Sequence, residues 1–255
     1  MIRQVPKIFF TLVMLAALGA CSGDDSTTIN IEAPSNNGGG NSGGGDSSGG
    51  DSGGDSGGET PAECPEGTTE VSEGLCELPA TVDSDLTLTA GVSYLMTDRV
   101  TVGNGNGQLE TNGDGTLDDG SAVQAVTLTI EAGVEVRGKT GTFANLLITR
   151  GSKIMAMGTA DAPIVFSSDD DGYDGSGEWG GLIIHGYAPH NECVEGGSYC
   201  DIDSEGESGF AGGYDPDDSS GVLRYVVVAE GGYEFSTGNE INGISLVGVG
   251  RGTEM

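Results

Sequence analysis

Leu128-Thr129-Ile130-Glu131-Ala132-Gly133-Val134-Glu135-Val136-Arg137-Gly138 holds two short alternating runs of aliphatic and polar residues around one glycine. Alternation with period two puts every second side chain on one face of a strand. The stretch Ile148-Thr149-Arg150-Gly151-Ser152-Lys153-Ile154-Met155-Ala156-Met157-Gly158 has the same grammar of strand, glycine-containing bend, strand and glycine. The offset between them is about twenty residues, a period at which repeat architectures are found. Leu86-Thr87-Leu88-Thr89-Ala90-Gly91-Val92 is a shorter third echo. A unit this small cannot bury a face alone, but stacked units share a continuous apolar core. Each strand would then pair with its counterpart one coil later, ~4.8 Å along the axis. The expected class is all-β, a parallel β-helix (β-solenoid). A β-sandwich is the alternative, and it needs tight hairpin turns between sequential strands, whose two-residue signals are scarce here.

Working outward, further β-rich runs occur at 93–96, 99–102, 164–167, 182–185, 222–229 and 244–247, separated by Gly, Asp and Asn. No stretch after residue 21 sustains helical periodicity. Two longer insertions, 103–125 and 187–220, interrupt the runs, and loops of this length in a compact domain usually carry function. The β-helix is assigned to residues 80–255. The run Gly248 to Met255 reads as a bend with no polar capping element, so the expectation is that further coils follow in a longer gene or that a partner covers the last one.

Upstream of the strands the texture changes. Residues 22–60 are mostly Gly, Ser, Asp and Asn and cannot offset the entropy of ordering, so 21–60 is assigned as a disordered linker. About 38 residues of such coil reach ~35 Å root-mean-square. Arg3 and Lys7 precede an apolar run from Ile8 to Leu18 that is too short to span a bilayer, which makes 1–20 a secretion signal. Export implies an oxidising compartment. Cys64 with Cys76, and Cys193 with Cys200, are the expected disulfides because they are the sequence-local pairs, with thiol metal binding as the rival. The first pair would staple a cap at 61–79. The formal charge of −31, from 40 acidic and 9 basic residues, repels nucleic acid and anionic lipid and attracts divalent cations.

Leu18-Gly19-Ala20-Cys21 resembles the lipobox of bacterial lipoproteins. That resemblance implies that Cys21 carries diacylglycerol and palmitate and starts the mature chain, a stable membrane anchor. Ser22 after it implies sorting to the outer membrane, with the periplasmic or surface face open. A second resemblance lies in Thr149-Arg150-Gly151-Ser152-Lys153-Ile154, Gly158-Thr159-Ala160, Pro163-Ile164-Val165-Phe166-Ser167 and Trp179-Gly180-Gly181-Leu182-Ile183-Ile184-His185-Gly186. These look like a family of bacterial surface lipoproteins, which implies a right-handed parallel β-helix and carries over no catalytic residue.

Two acidic stretches suggest metal. Glu110 to Asp119 has oxygen donors at alternate positions with a glycine after the third, like half of an EF-type calcium loop, with Ser121 where the bidentate acid should stand. Asn112, Asp114 and Asp118 are its candidate ligands. The other is Asp169-Asp170-Asp171 with Asp174 and Glu178, where Asp169, Asp171 and Asp174 are the candidates. In both, a solvated acidic turn is the plainer reading, and calcium is the one cofactor considered. The primary functional reading is a noncatalytic envelope lipoprotein for binding or adhesion, its partners the membrane through the anchor and an extracellular glycan or envelope protein. The alternatives are a carbohydrate-active enzyme of polysaccharide lyase or glycosidase type, or a fragment of a longer lipoprotein. Trp179, Tyr173, Tyr187 and Tyr214 could form a sugar-stacking patch, although Trp179 reads more simply as a coil-corner residue. His185 on its aliphatic strand reads as a satisfied position.

Overall fold

Alternating short strands bounded by glycine cannot close hydrogen bonds within one turn of chain, so each strand must find its partners in the turns before and after it. The structure, a computed structural model, shows that solution for residues 62–255, with 111–114, 171, 194–199 and 237–238 outside the described residues. The signal, the anchor at Cys21 and the linker also lie outside them.

The chain enters through β1 (Thr69–Ser72), which forms an antiparallel hairpin with β2 (Leu75–Glu77). Coil one is β2, β3 (Thr81–Val82) and β4 (Leu86–Leu88). Coil two is β5 (Ser93–Met96), β6 (Val100–Val102) and β7 (Thr127–Ile130). Coil three is β8 (Glu135–Gly138), β9 (Asn145–Ile148) and β10 (Lys153–Met157). Coil four is β11 (Ile164–Ser168), β12 (Gly181–His185), an inserted hairpin of β13 (Ile202–Ser204) and β14 (Gly209–Ala211), and β15 (Gly221–Arg224). Coil five is β16 (Val226–Val228), a small hairpin of β17 (Glu234–Ser236) and β18 (Asn239–Glu240), and β19 (Ile244–Val247).

The coils stack into three parallel sheets: β2-β5-β8-β11-β16, β3-β6-β9-β12-β19 and β4-β7-β10-β15. Among the described residues antiparallel pairing is confined to β1–β2, β13–β14, β17–β18 and two isolated bridges within 109–122, so the sandwich alternative is excluded. Interior side chains form columns. Cys76, Tyr94, Val136, Phe166 and Val228 are in register in the first sheet. Val82, Val102, Ile148, Ile184 and Leu246 align in the second, and Leu88, Ile130, Ala156 and Leu223 in the third. Burying one such aliphatic side chain contributes about 1.5–3 kcal/mol.

The registers correct the repeat alignment. The two quoted stretches with the twenty-residue offset are not coil equivalents: Leu128 lies in the third sheet and Ile148 in the second. The shorter echo is the true one, since Leu86 pairs with Leu128 and Leu88 with Ile130. Gly91 and Gly133 then fall at the same bend, with φ of 95° and 83°, a region that a side chain rarely enters. The insertion at 103–125 had displaced the coil repeat, so only the strand-to-strand similarity within coils survived at the shorter spacing. Nor is 222–229 one strand: it breaks at Tyr225, with φ 50°, to turn the corner from β15 to β16. The first coil begins at Leu75 inside the expected cap, whose disulfide Cys64–Cys76 places Cys76 in the interior column.

Replacing Leu128 with Ala should lower the unfolding free energy by about 2–5 kcal/mol. Replacing its outward-facing neighbour Thr129 with Ala should change it by less than about 0.5 kcal/mol. Urea unfolding of both variants checks the assigned facing of β7.

Candidate functional site

Where β11 hands over to β12, the chain makes the acidic loop 169–180, and coil five contributes a carboxylate from directly after β16. Asp170, Glu178 and Glu230 each offer an oxygen within 4.8 Å of the others. Glu230 is 8% exposed and holds φ at 61°. Its Oε2 accepts from Ser168 N at 3.2 Å and from Ser168 Oγ at 2.8 Å, and its Oε1 accepts from Asp174 N at 3.2 Å. Ser168 Oγ also lies 2.6 Å from Asp170 Oδ1. A hydroxyl has one proton to donate, so one of these two carboxylates faces the serine oxygen without a hydrogen between them. Glu178 Oε2 is buried with no hydrogen-bond partner among the described residues. Three clustered carboxylates under such conditions repel unless one is protonated or a cation joins them.

The corner is rigidly built. Glu178 N donates to Glu230 O at 2.9 Å, and Gly141 N to Glu178 O at 2.8 Å, so coils three, four and five all meet there. Trp179 is fully buried and its Nε1 donates to Ala229 O at 2.7 Å. A Cβ on Gly138 would lie 2.7 Å from the Cβ of Trp179, which accounts for a glycine in that strand. Trp179 is therefore a corner residue and unable to stack on a sugar, whereas Tyr173 in the same loop is 62% exposed. The donors are all hard oxygens, which fits calcium or magnesium.

Of the ligands expected from sequence, the described ones lie outside this set of three carboxylates. Asp169 accepts from Lys139 Nζ and from Thr140 N, both at 2.7 Å, and stands apart from the triad. Its burial opposes ionisation, but these hydrogen bonds together hold its carboxyl below the ordinary range. Asp174 is exposed and contributes its backbone amide rather than its carboxylate. Asp171, Asn112 and Asp114 lie outside the described residues, and Asp118 is exposed on a turn. Glu230 was missed because it lies far along the chain. Aligning Ile164–Phe166 with Val226–Val228, as the register does, sets it beside Ser168.

The second insertion is pinned over the second sheet by Arg150, Arg99 and His185. Arg150 is fully buried and pairs with Asp201, 4% exposed, at 2.6 Å. Its other donors reach Gly105 O at 2.7 Å, Gly212 O at 3.1 Å and Gly107 O, and its guanidinium lies 5.9 Å from the Tyr187 ring. One cation thus ties both insertions to the end of β9. Tyr187 is a wall of that site and not a free aromatic. Arg99 bridges Asn145 Oδ1 at 3.0 Å to Glu207 O at 2.6 Å and to Gly206 O in the β13–β14 turn. Cys193–Cys200 closes the loop ahead of β13, with Cα atoms 5.4 Å apart.

Between these clamps, His185 Nε2 is 2.9 Å from Ser204 Oγ and 3.5 Å from Ser208 Oγ. The pair has the look of a nucleophile and its base. Burial first, then the charges of Arg150 and Arg99, push the imidazole from 6.5 down to about 3. Among the described residues no carboxylate bonds its Nδ1. A base must accept the serine proton, and here the imidazolium is strongly disfavoured. Ser204 Oγ also reaches Gly209 O at 2.7 Å and Ser208 Oγ at 2.6 Å, which makes the cluster a polar knot that fastens the hairpin.

The depressed value has a sign. Above pH 6.5 the ring is neutral whether the chain is folded or not, but between 6.5 and about 3 only the unfolded chain takes up the proton. The contribution of His185 to stability therefore falls as pH falls through that window, by up to about 1.4 kcal/mol per pH unit. In urea unfolding at pH 7 and pH 4.5, His185→Gln should lose less stability on acidification than the native chain. Equal losses would place the ring in solvent.

Residues 104–255, more than half of the chain, match the family described as the pectate-lyase-like beta helix domain. Compared with curated proteins and with solved structures, the chain has no significant match. The five stacked coils and this match together make the chain a member of the pectate-lyase-like β-helix domain family.

Proposed function

We propose that this is a lipid-anchored cell-envelope protein, most simply of the outer membrane, that displays its β-helix for binding without turnover, with a calcium ion at the acidic corner. The observation that supports it best is how the cations are engaged. Arg137, Lys139, Arg150, Arg224 and Arg251 pair with Glu135, Asp169, Asp201, Glu254 and Asp217. Among the described cations Arg99 is held instead by backbone carbonyls and by Asn145 Oδ1, and Lys153 makes no ion pair. A polyuronate substrate needs cationic subsites and a base. The imidazole–serine pair among the described residues of the insertion, His185 with Ser204, fastens a hairpin. The anchor reading rests on the Leu18–Cys21 motif and the linker after it.

The calcium reading rests on the buried, partnerless Glu178 Oε2 and on the single serine proton shared by Asp170 and Glu230. Residues 170, 178 and 230 would hold the ion and tie coil four to coil five.

The family match favours a second reading, a carbohydrate-active enzyme, because β-helices of this class include lyases. Two measurements separate the readings. Millimolar calcium should raise the melting temperature of the full chain, by the equivalent of about 2.7 kcal/mol at a hundredfold excess over Kd. Glu230→Gln should remove most of the rise. An unchanged melting temperature would end the calcium reading. Incubation with anionic polysaccharides should release no unsaturated oligosaccharides, and their appearance would make the enzyme reading the better one.

A further inference from the structure

Side chains alternate between the two faces of a strand. On β12 the interior takes Leu182 and Ile184, so Ile183 and His185 point outward, beside their register partners Ser245 and Val247 on β19. Ile183, Ser245 and Val247 floor a groove of about 420 Å³ on the outer face of the second sheet. That volume falls within the ~300–1,000 Å³ of small-molecule sites. Its side wall is the insertion hairpin at Ile202 and Asp203, which Arg99 and His185 hold in place. Ile241, packed on Ile183, stands at the end where β19 begins, and His190 and Glu192 stand at the end where the chain leaves β12. A further coil stacked on β19 would widen this floor and leave the hairpin wall in place. The rim is acidic: Glu192, Asp203 and Glu205 are exposed, and no lysine or arginine lines the groove among the described residues. His190 Nδ1 accepts from Glu192 N at 3.3 Å, so that nitrogen carries no proton. Three acids converge to within 4.8 Å only at the corner of residues 170, 178 and 230 among the described residues, so the groove's carboxylates do not share one metal ion.

We propose that this groove binds a linear polyamine, an aliphatic chain that carries several ammonium groups. Its methylene runs would lie on Ile183 and Val247, and its spaced charges would meet Glu192, Asp203 and Glu205 one at a time. Spacing decides between occupants. A compact cation of the same charge would reach one carboxylate and leave the aliphatic floor uncovered. An exposed ion pair alone contributes little, so the methylene contacts have to add to it. An anionic glycan, or a second copy of a chain with net charge −31, would bring like charge to the rim. The inference goes beyond the display reading and needs neither the lipid anchor nor the calcium ion, so its failure leaves both standing.

The test titrates spermidine into the full chain by calorimetry at physiological salt, with hexaamminecobalt(III) as a compact ion of equal charge. Spermidine should bind at one site, and the cobalt complex at least tenfold more weakly. Asp203→Asn/Glu205→Gln should weaken spermidine at least tenfold, and Ser245→Lys, which sets a cation on the floor, should abolish binding. Asp83→Asn/Asp161→Asn removes the same charge from exposed positions outside the groove and should change nothing. Glu230→Gln, at the acidic corner, should bind spermidine as the native chain does. Absence of binding would overturn the proposal, as would equal affinity for the cobalt complex or equal weakening by the two double variants, either of which reduces the attraction to general electrostatics. Loss of binding in Glu230→Gln would move the polyamine to the corner and also overturn it. Tetralysine binding more tightly than spermidine, with the same response to the rim variant, would assign the groove to a basic protein segment instead. The rim variant and the cobalt comparison decide the matter if Ser245→Lys does not fold.

Discussion

Hydrogen bonding along the axis is the constraint on which everything else rests. In a β-helix no coil satisfies its own strands. Each amide must be met by the coil above or below, so the register that aligns Tyr94 with Val136 and Phe166 also sets which loops become neighbours. The acidic corner exists because that register puts coil five directly on coil four. Ser168 and Glu230 are far apart in the chain and in contact across one rung. An insertion can lengthen a coil without disturbing the ladder, since only strand positions are bound by it.

The insertions follow a second rule. A segment without its own core has to be held by a few strong contacts to the scaffold, and here the holding groups are two of the chain's nine basic residues. Arg150 gives charge-assisted bonds to Asp201 and to carbonyls of both insertions, with no exposed surface. Such buried pairs are sensitive to loss of one partner, because the remaining charge has no water to turn to. His185 and the two serines complete the attachment through neutral hydrogen bonds. Chemistry that could look catalytic in a list of residues is consumed by this attachment.

Much of the fold was legible in the sequence because period-two alternation and glycine bends are local properties. The class, the parallel stacking, both insertions and both disulfides were read from short stretches. The candidate site was read only in part. The acidic loop was recognised, and Glu178 was named within it, but Asp169 turned out to face Lys139 and Asp174 to present its amide. The buried member, Glu230, follows a run of valines and carries no local mark of its role. Arg150 stood in a quoted motif, yet nothing local says that a guanidinium will be sealed beneath two loops.

The sequence by itself determined the strands, their inward faces and the glycines at the bends, since each depends on backbone preference and on neighbours one or two residues away. Tertiary structure alone decided the true coil equivalence, the partners of the buried ions and the carboxylate set at the corner. Those depend on how many residues each insertion adds between rungs, and a ladder that pairs strands across the axis is indifferent to that number.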